Sequence, residues 1–155
     1  MLLYLVQHAE AKPEEEDPER SLTDNGFFHI RKTAHFMAGI RMKRPAQILH
    51  SGKKRAEQTA FVIKDTLHPP KGISAVKGLD PDDDPHAIME RLQKETAPLL
   101  LVGHLPNLKR LASLLLAGDG NKDLIDFKNA GVVCLKRDEG GHWSVEWAVT
   151  PDLLK

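Results

Sequence analysis

A chain of 155 residues can bury one sizeable core and is short for two, so a single domain over residues 1–155 with one site is expected. Its 22 Lys and Arg balance 22 Asp and Glu, which excludes the global field that would favour nucleic acid or an anionic membrane and leaves any anion site to be built locally. The one cysteine, Cys134, lies in the apolar run 132–135, so no internal disulfide can form. A cytoplasmic setting is expected, because the opening run 1–6 has no basic leader and is too short for a secretion signal or a membrane span.

Residues 2–6 form a continuous apolar run, the pattern of a strand buried on both faces of a parallel sheet. A polar stretch with Glu14-Glu15-Glu16-Asp17 between Pro13 and Pro18 reads as a solvated loop able to reach over a site. Thr23-Asp24 opens an amphipathic helix in which Phe27, Ile30, Ala34 and Met37-Ala38 recur at helical spacing up to Gly39. Residues 46–49 predict a second strand. Ser51 is placed to cap the next helix, which carries Ala56, Thr59-Ala60, Ile63 and Leu67 and is stopped by Pro69-Pro70. A weak strand at 73–76 leads through the acidic loop 79–85 to a helix with Ile88 and Leu92. Residues 99–102 are the clearest central strand, and Gly103-His104 follows it into a helix through Leu108, Leu111-Ala112 and Leu115-Leu116 that ends near Gly118. Runs 131–135 and 143–149, separated by Asp138-Glu139-Gly140-Gly141, predict two strands joined by a turn.

Strands alternating with helices predict an α/β domain, a three-layer α/β/α sandwich with a mostly parallel central sheet and an antiparallel edge in its last two strands. Ligands in such sheets bind beyond the carboxyl ends of the strands. Three of those ends carry polar groups: Gln7-His8, His50-Ser51 with Arg55 in the following helix, and Gly103-His104. Two histidines and an arginine around a helix N-terminus make a phosphate site. The helix end supplies free N–H groups and partial positive charge, Arg offers a fork of donors matched to phosphate oxygens, and a neutral imidazole can attack phosphorus. Each residue alone has an ordinary structural explanation, and it is their convergence on one edge that points to chemistry.

The order and spacing of Val6-Gln7-His8-Ala9-Glu10, Leu22-Thr23 with Gly26, Ser51 through Arg55-Ala56-Glu57-Gln58-Thr59-Ala60, and Leu101-Val102-Gly103-His104-Leu105-Pro106 resemble the successive motifs of the histidine phosphatase superfamily, with its phosphoglycerate mutase-like fold. The likeness is greatest to the short SixA-type phosphohistidine phosphatases. It spans roughly residues 1–116, and the remainder matches only in pattern. The resemblance implies that His8 is the nucleophile, Arg55 a phosphate-clamping arginine and His104 the histidine that neutralises the transferring phosphoryl group. Arg20 stands where many short members carry an arginine that reaches the phosphate, with a loop salt bridge as its alternative. Ser51 lines the phosphate pocket if it is not simply a cap.

One motif departs from the family. Its signature Arg-His-Gly reads Gln7-His8-Ala9 here, so a charge and a fork of donors are replaced by an amide. Arg20 or Lys12 is the expected source of compensating charge. The implied activity is a metal-independent, cofactor-free phosphatase working through a phosphorylated His8. Its substrate is a phosphohistidine-containing protein or a small phosphorylated molecule, with neither nucleic acid nor membrane as partner. Alkyl phosphates need an acid for the leaving group, and Asp80 in the loop after the third strand is the candidate, although an acidic, proline-bracketed run is also an ordinary solvated loop. A phosphate-binding module disabled by Gln7 is the non-enzymatic alternative. A receiver-type domain would need an acidic cluster after the first strand, and a nucleotide-binding protein a Gly-rich phosphate loop. The sequence has neither.

Overall fold

The computed structural model describes residues 1–155. Ten regular elements follow one another as β1 (Leu2–Gln7), α1 (Asp24–Gly39), β2 (Gln47–His50), α2 (Lys54–Leu67), β3 (Ile73–Ala75), α3 (His86–Lys94), β4 (Leu99–Gly103), α4 (Asn107–Ala117), β5 (Val132–Arg137) and β6 (Trp143–Val149), with a terminal 3₁₀ turn at Pro151–Leu153. The strands form one sheet in the order β3-β2-β4-β1-β5-β6. Strands β1 to β4 run parallel, while β5 and β6 are antiparallel, as the turn-linked pair predicts. None of the helices is long and apolar enough to cross a membrane.

The period-2 geometry of a strand divides the core. Tyr4, Val6, Ile48, Leu100, Val102 and Cys134 face one layer, where Ile30, Ala34 and Met37 of α1 and Ala56, Ala60 and Ile63 of α2 pack on them. Leu3, Leu5, Leu49, Leu99, Leu101 and Leu135 face the other, against Ile88 and Leu92 of α3 and Leu108 and Leu111 of α4. The continuous apolar runs of β1 and β4 are thus explained by helices on both sides. These are the three layers that the alternation of elements predicts. Each fully buried Leu or Ile is worth about 1.5–3 kcal/mol against water, so the central strands anchor whatever their ends carry.

Loop chemistry matches the backbone. Thr23 caps α1 by accepting from the Gly26 N–H at 2.9 Å. α4 ends on Gly118 at φ 71°, and α2 on His68 at φ 50° before the two prolines. The expected cap at Ser51 is not formed: Lys53 holds the cap position of α2 with no side chain closing it, and the Ser51 hydroxyl instead accepts from the Lys53 N–H at 3.3 Å and contacts His104.

Gly26 shows why the first helix must start with a small residue. The loop after His8 lies across this turn, with the Thr23 N–H donating to the Glu10 carbonyl at 3.0 Å. A Cβ on Gly26 would stand 2.2 Å from that same oxygen. Gly26→Ala is therefore expected to lower stability by about 1–3 kcal/mol, although alanine is the better helix former, and chemical denaturation checks it. A neutral or stabilising result would mean that the loop yields freely.

Candidate active site

Strand register brings the histidines together. Gln7 of β1 pairs with Gly103 of β4, so His8 and His104 are the next residues on adjacent parallel strands, and the His8 N–H donates to the Gly103 carbonyl at 3.1 Å. Their rings lie 5.0 Å apart, centroid to centroid, tilted by 50°. β2 flanks β4 on its other side, which delivers Ser51 to the same edge, where its Oγ lies 2.7 Å from His104 Nε2.

The His8 ring has a defined tautomer. Its Nδ1 stands 2.7 Å from the Ala9 carbonyl, which can only accept, so the proton is on Nδ1 and the lone pair on Nε2. Burial lowers the His8 pKa to about 4. The Ala9 hydrogen bond opposes the shift, and the charges of Arg55 and Arg20 reinforce it. Burial likewise takes His104 down to about 3, helped by His8, Arg55, Lys53 and Arg20. At neutral pH both rings are uncharged, and the unprotonated Nε2 of His8 is free of protein partners.

Positive charge surrounds them. Arg55, in the first turn of α2, has its Nε buried without a partner, and its own pKa is lowered by burial and then by Arg20. Arg20 adopts φ 53°, a left-handed conformation unusual for a side-chain-bearing residue, and its Nε donates to the Lys12 carbonyl at 3.1 Å. The two arginines, with Lys53 and Lys54, line a polar cavity of about 650 Å³ whose wall also carries Glu14, Glu19 and Glu57. Neither histidine lines that opening: His104 is 2% exposed, and His8 is half-buried. The charge of Lys12 acts instead on Asp17, and nothing brings it to the histidines, so of the two expected sources of compensating charge only Arg20 is at the site.

Gln7 is half-buried, and its Oε1 is enclosed with no partner. Asp80 has one carboxylate oxygen in the same condition and lines, with Ser51, a second cavity of about 470 Å³. The acidic loop is stapled rather than loosely solvated. Asp83 accepts from the N–H groups of Gly78 and Asp80, and the Asn107 amide donates to the carbonyls of Gly78 and Asp83.

Several supporting residues lie outside the sequence expectations. Thr59 Oγ1 accepts from the Ala9 N–H at 3.0 Å and donates to the Arg55 carbonyl at 2.7 Å, tying the loop after His8 to the helix that carries Arg55. Gln58 accepts from the Leu22 N–H at 2.7 Å. Asn129 donates to the His8 carbonyl at 2.9 Å, and Ala130, at φ 60°, donates to the Gln7 carbonyl. The polar pair Gln58-Thr59, one helical turn beyond Arg55 and so on its face, carried a usable signal; Asn129, in an irregular stretch, carried none.

The chain closely matches solved structures. A tungstate complex of the protein histidine phosphatase SixA aligns over 100% of both chains, at 26% identity and a TM-score of 0.88. A protein from Agrobacterium tumefaciens described as a phosphohistidine phosphatase SixA aligns over 97% of each chain, at 24% identity and a TM-score of 0.77. A protein from Escherichia coli described as an alpha-ribazole-5'-P phosphatase covers 97% of this chain and 98% of its own, at 14% identity and a TM-score of 0.77. No protein-family model matches the chain, and no curated protein matches it by sequence. The likeness extends past residue 116 into β5 and β6, beyond the reach of the motifs, and the chain has the fold of the histidine phosphatase superfamily.

Proposed function

We propose that residues 1–155 form one metal-independent phosphatase domain in which His8 is transiently phosphorylated and protein phosphohistidine is the substrate. The observation that carries this reading is the neutral His8 ring, its proton held on Nδ1 by Ala9 and its Nε2 free, beside His104 and within the field of Arg55 and Arg20. His8 Nε2 attacks phosphorus in line, the bond from phosphorus to the leaving nitrogen breaks, and the imidazole departs with its proton. Water then attacks phospho-His8, releasing phosphate and restoring the ring. Arg55, Arg20 and His104 stabilise the charge of the transferring group, the work that Mg²⁺ does in many phosphoryl-transfer enzymes. No group of three or more His, Cys, Asp or Glu is placed to hold a metal ion. The open polar cavity in front of the arginines suits a phosphorylated protein surface, and the buried, unpaired Cys134 suits a reducing cytoplasm.

A second reading rests on Asp80. Its enclosed, unpartnered oxygen beside Ser51 is placed to protonate an alkoxide, as hydrolysis of a small phosphate ester requires.

The test is hydrolysis in EDTA of free phosphohistidine, of a phosphorylated histidine-phosphotransfer protein and of alkyl phosphates. Preference for the phosphoprotein supports the proposal, and preference for esters, lost in Asp80→Asn, supports the second reading. Binding of phosphate without turnover leaves a phosphate-binding module. The pH profile adds an independent check. With His8 at about 4 and His104 at about 3, kcat/KM is expected to stay level from pH 8 to pH 6 and to fall as pH approaches 4, once the substrate's own ionisation is allowed for. Both folded pKa values lie below the ordinary 6.5, so the unfolded chain binds more protons between about pH 6.5 and 4. Stability must fall over that same acid window. A rate that drops near pH 6.5 would show that the histidines keep ordinary pKa values.

A further inference from the structure

The contact between Ser51 and His104 does more than fill space. A neutral imidazole has one N–H, and two arrangements fit the 2.7 Å separation of Ser51 Oγ and His104 Nε2. Either Nε2–H donates to the hydroxyl, or the hydroxyl donates to Nε2 and the ring proton sits on Nδ1. Ser51 Oγ already accepts from the Lys53 N–H at 3.3 Å, and its own hydrogen has no other acceptor in the chain. Only the second arrangement uses that hydrogen.

The other ring nitrogen decides in the same direction. His104 Nδ1 is enclosed and has no protein partner, on a ring that faces His8 at 5.0 Å. If Nδ1 carried a lone pair, it would be a buried acceptor that an incoming anion could only repel. With a proton, it is a buried donor that a phosphoryl oxygen satisfies, so its unmet hydrogen bond is unmet only until substrate arrives.

We propose that Ser51 is the positioning residue that fixes His104 as the Nδ1–H tautomer, so that this ring donates from Nδ1 to an oxygen of the group transferred to His8. The proposal rests on the phosphatase reading for its consequence, while the hydrogen bonds of Ser51 support the tautomer without reference to substrate. Ser51 touches no reacting atom in this scheme; it acts through His104. Threonine keeps the hydroxyl, whereas alanine leaves both nitrogens without a fixed role.

The tautomer is read directly from long-range ¹H–¹⁵N correlations of the labelled full chain at pH 7, with and without inorganic phosphate. The expected result is Nδ1–H at His104, a downfield shift of that proton with phosphate, and loss of the single tautomer in Ser51→Ala. In phosphohistidine hydrolysis Ser51→Ala is expected to lower kcat on the order of tenfold to a hundredfold with KM little changed, the usual scale for losing a partner that orients a working group. Ser51→Thr is expected to restore most of the rate, and circular dichroism shows whether each variant is folded. An Nε2–H tautomer in the wild type, or an unchanged tautomer and kcat in folded Ser51→Ala, overturns the proposal. Because the spectrum requires no turnover, a wild type that hydrolyses nothing but shows the Ser51-dependent Nδ1–H would refute the phosphatase reading and leave the tautomer assignment standing.

Discussion

His8→Ala is expected to remove phosphohistidine hydrolysis, by about 10⁴-fold or more, and with it any covalently bound phosphate, while the protein stays folded and still binds phosphate or vanadate. The size follows from the geometry. Arg55, Arg20 and His104 can bind and polarise a phosphoryl group without His8, but the other neutral ring, His104, has its Nε2 engaged by Ser51 rather than free to attack. The fold should tolerate the change, because the half-buried ring makes its one hydrogen bond to the carbonyl of the next residue, and the backbone at this position is held independently by Gly103 and Asn129. The measurement is a rapid-quench trap of acid-labile phosphate on the chain alongside steady-state rates. Phosphate bound covalently to the alanine variant would move the nucleophile elsewhere, and full activity in that variant would overturn the mechanism.

The fold was legible wherever burial writes a period into the sequence. The runs of β1 and β4 announce strands covered on both faces, and Ile30, Ala34 and Met37 announce the inner face of α1. The placement of His8 and His104 followed from one rule, that ligands gather beyond the carboxyl ends of a parallel sheet, and the register of Gln7 against Gly103 turns that rule into a 5.0 Å contact. What could not be read are polar contacts between segments far apart in the chain. Ser51 looks like a helix cap because serine before a helix usually is one, and its contact with His104, 53 residues away, has no local signature. Asn129 reaches His8 from an irregular stretch with no periodicity to betray it. Arg20 and Lys12 looked equivalent in the loop, and only the left-handed turn at Arg20 separates the residue that lines the cavity from the one whose charge acts on Asp17.

Gln7→Arg is expected to raise kcat/KM for phosphohistidine by about 10²- to 10³-fold, the usual worth of one preorganised donor to transition-state charge. Gln7 immediately precedes His8 in the chain and carries an enclosed amide oxygen that nothing satisfies. Arginine would supply two donors in a fork together with a full charge. The gain has a cost, since burial and then the charge of Arg20 already lower the pKa of Arg55, and a third guanidinium should reduce stability by roughly 1 kcal/mol in the absence of anion. If Arg20 compensates for the missing charge, Arg20→Ala in the wild-type background should nearly silence the enzyme, while the same change in the Gln7→Arg background should cost far less. That non-additivity is the measurement that matters. Equal losses in both backgrounds would mean that Arg20 and position 7 act independently, and the native glutamine would then be a brake on the rate that no other residue offsets.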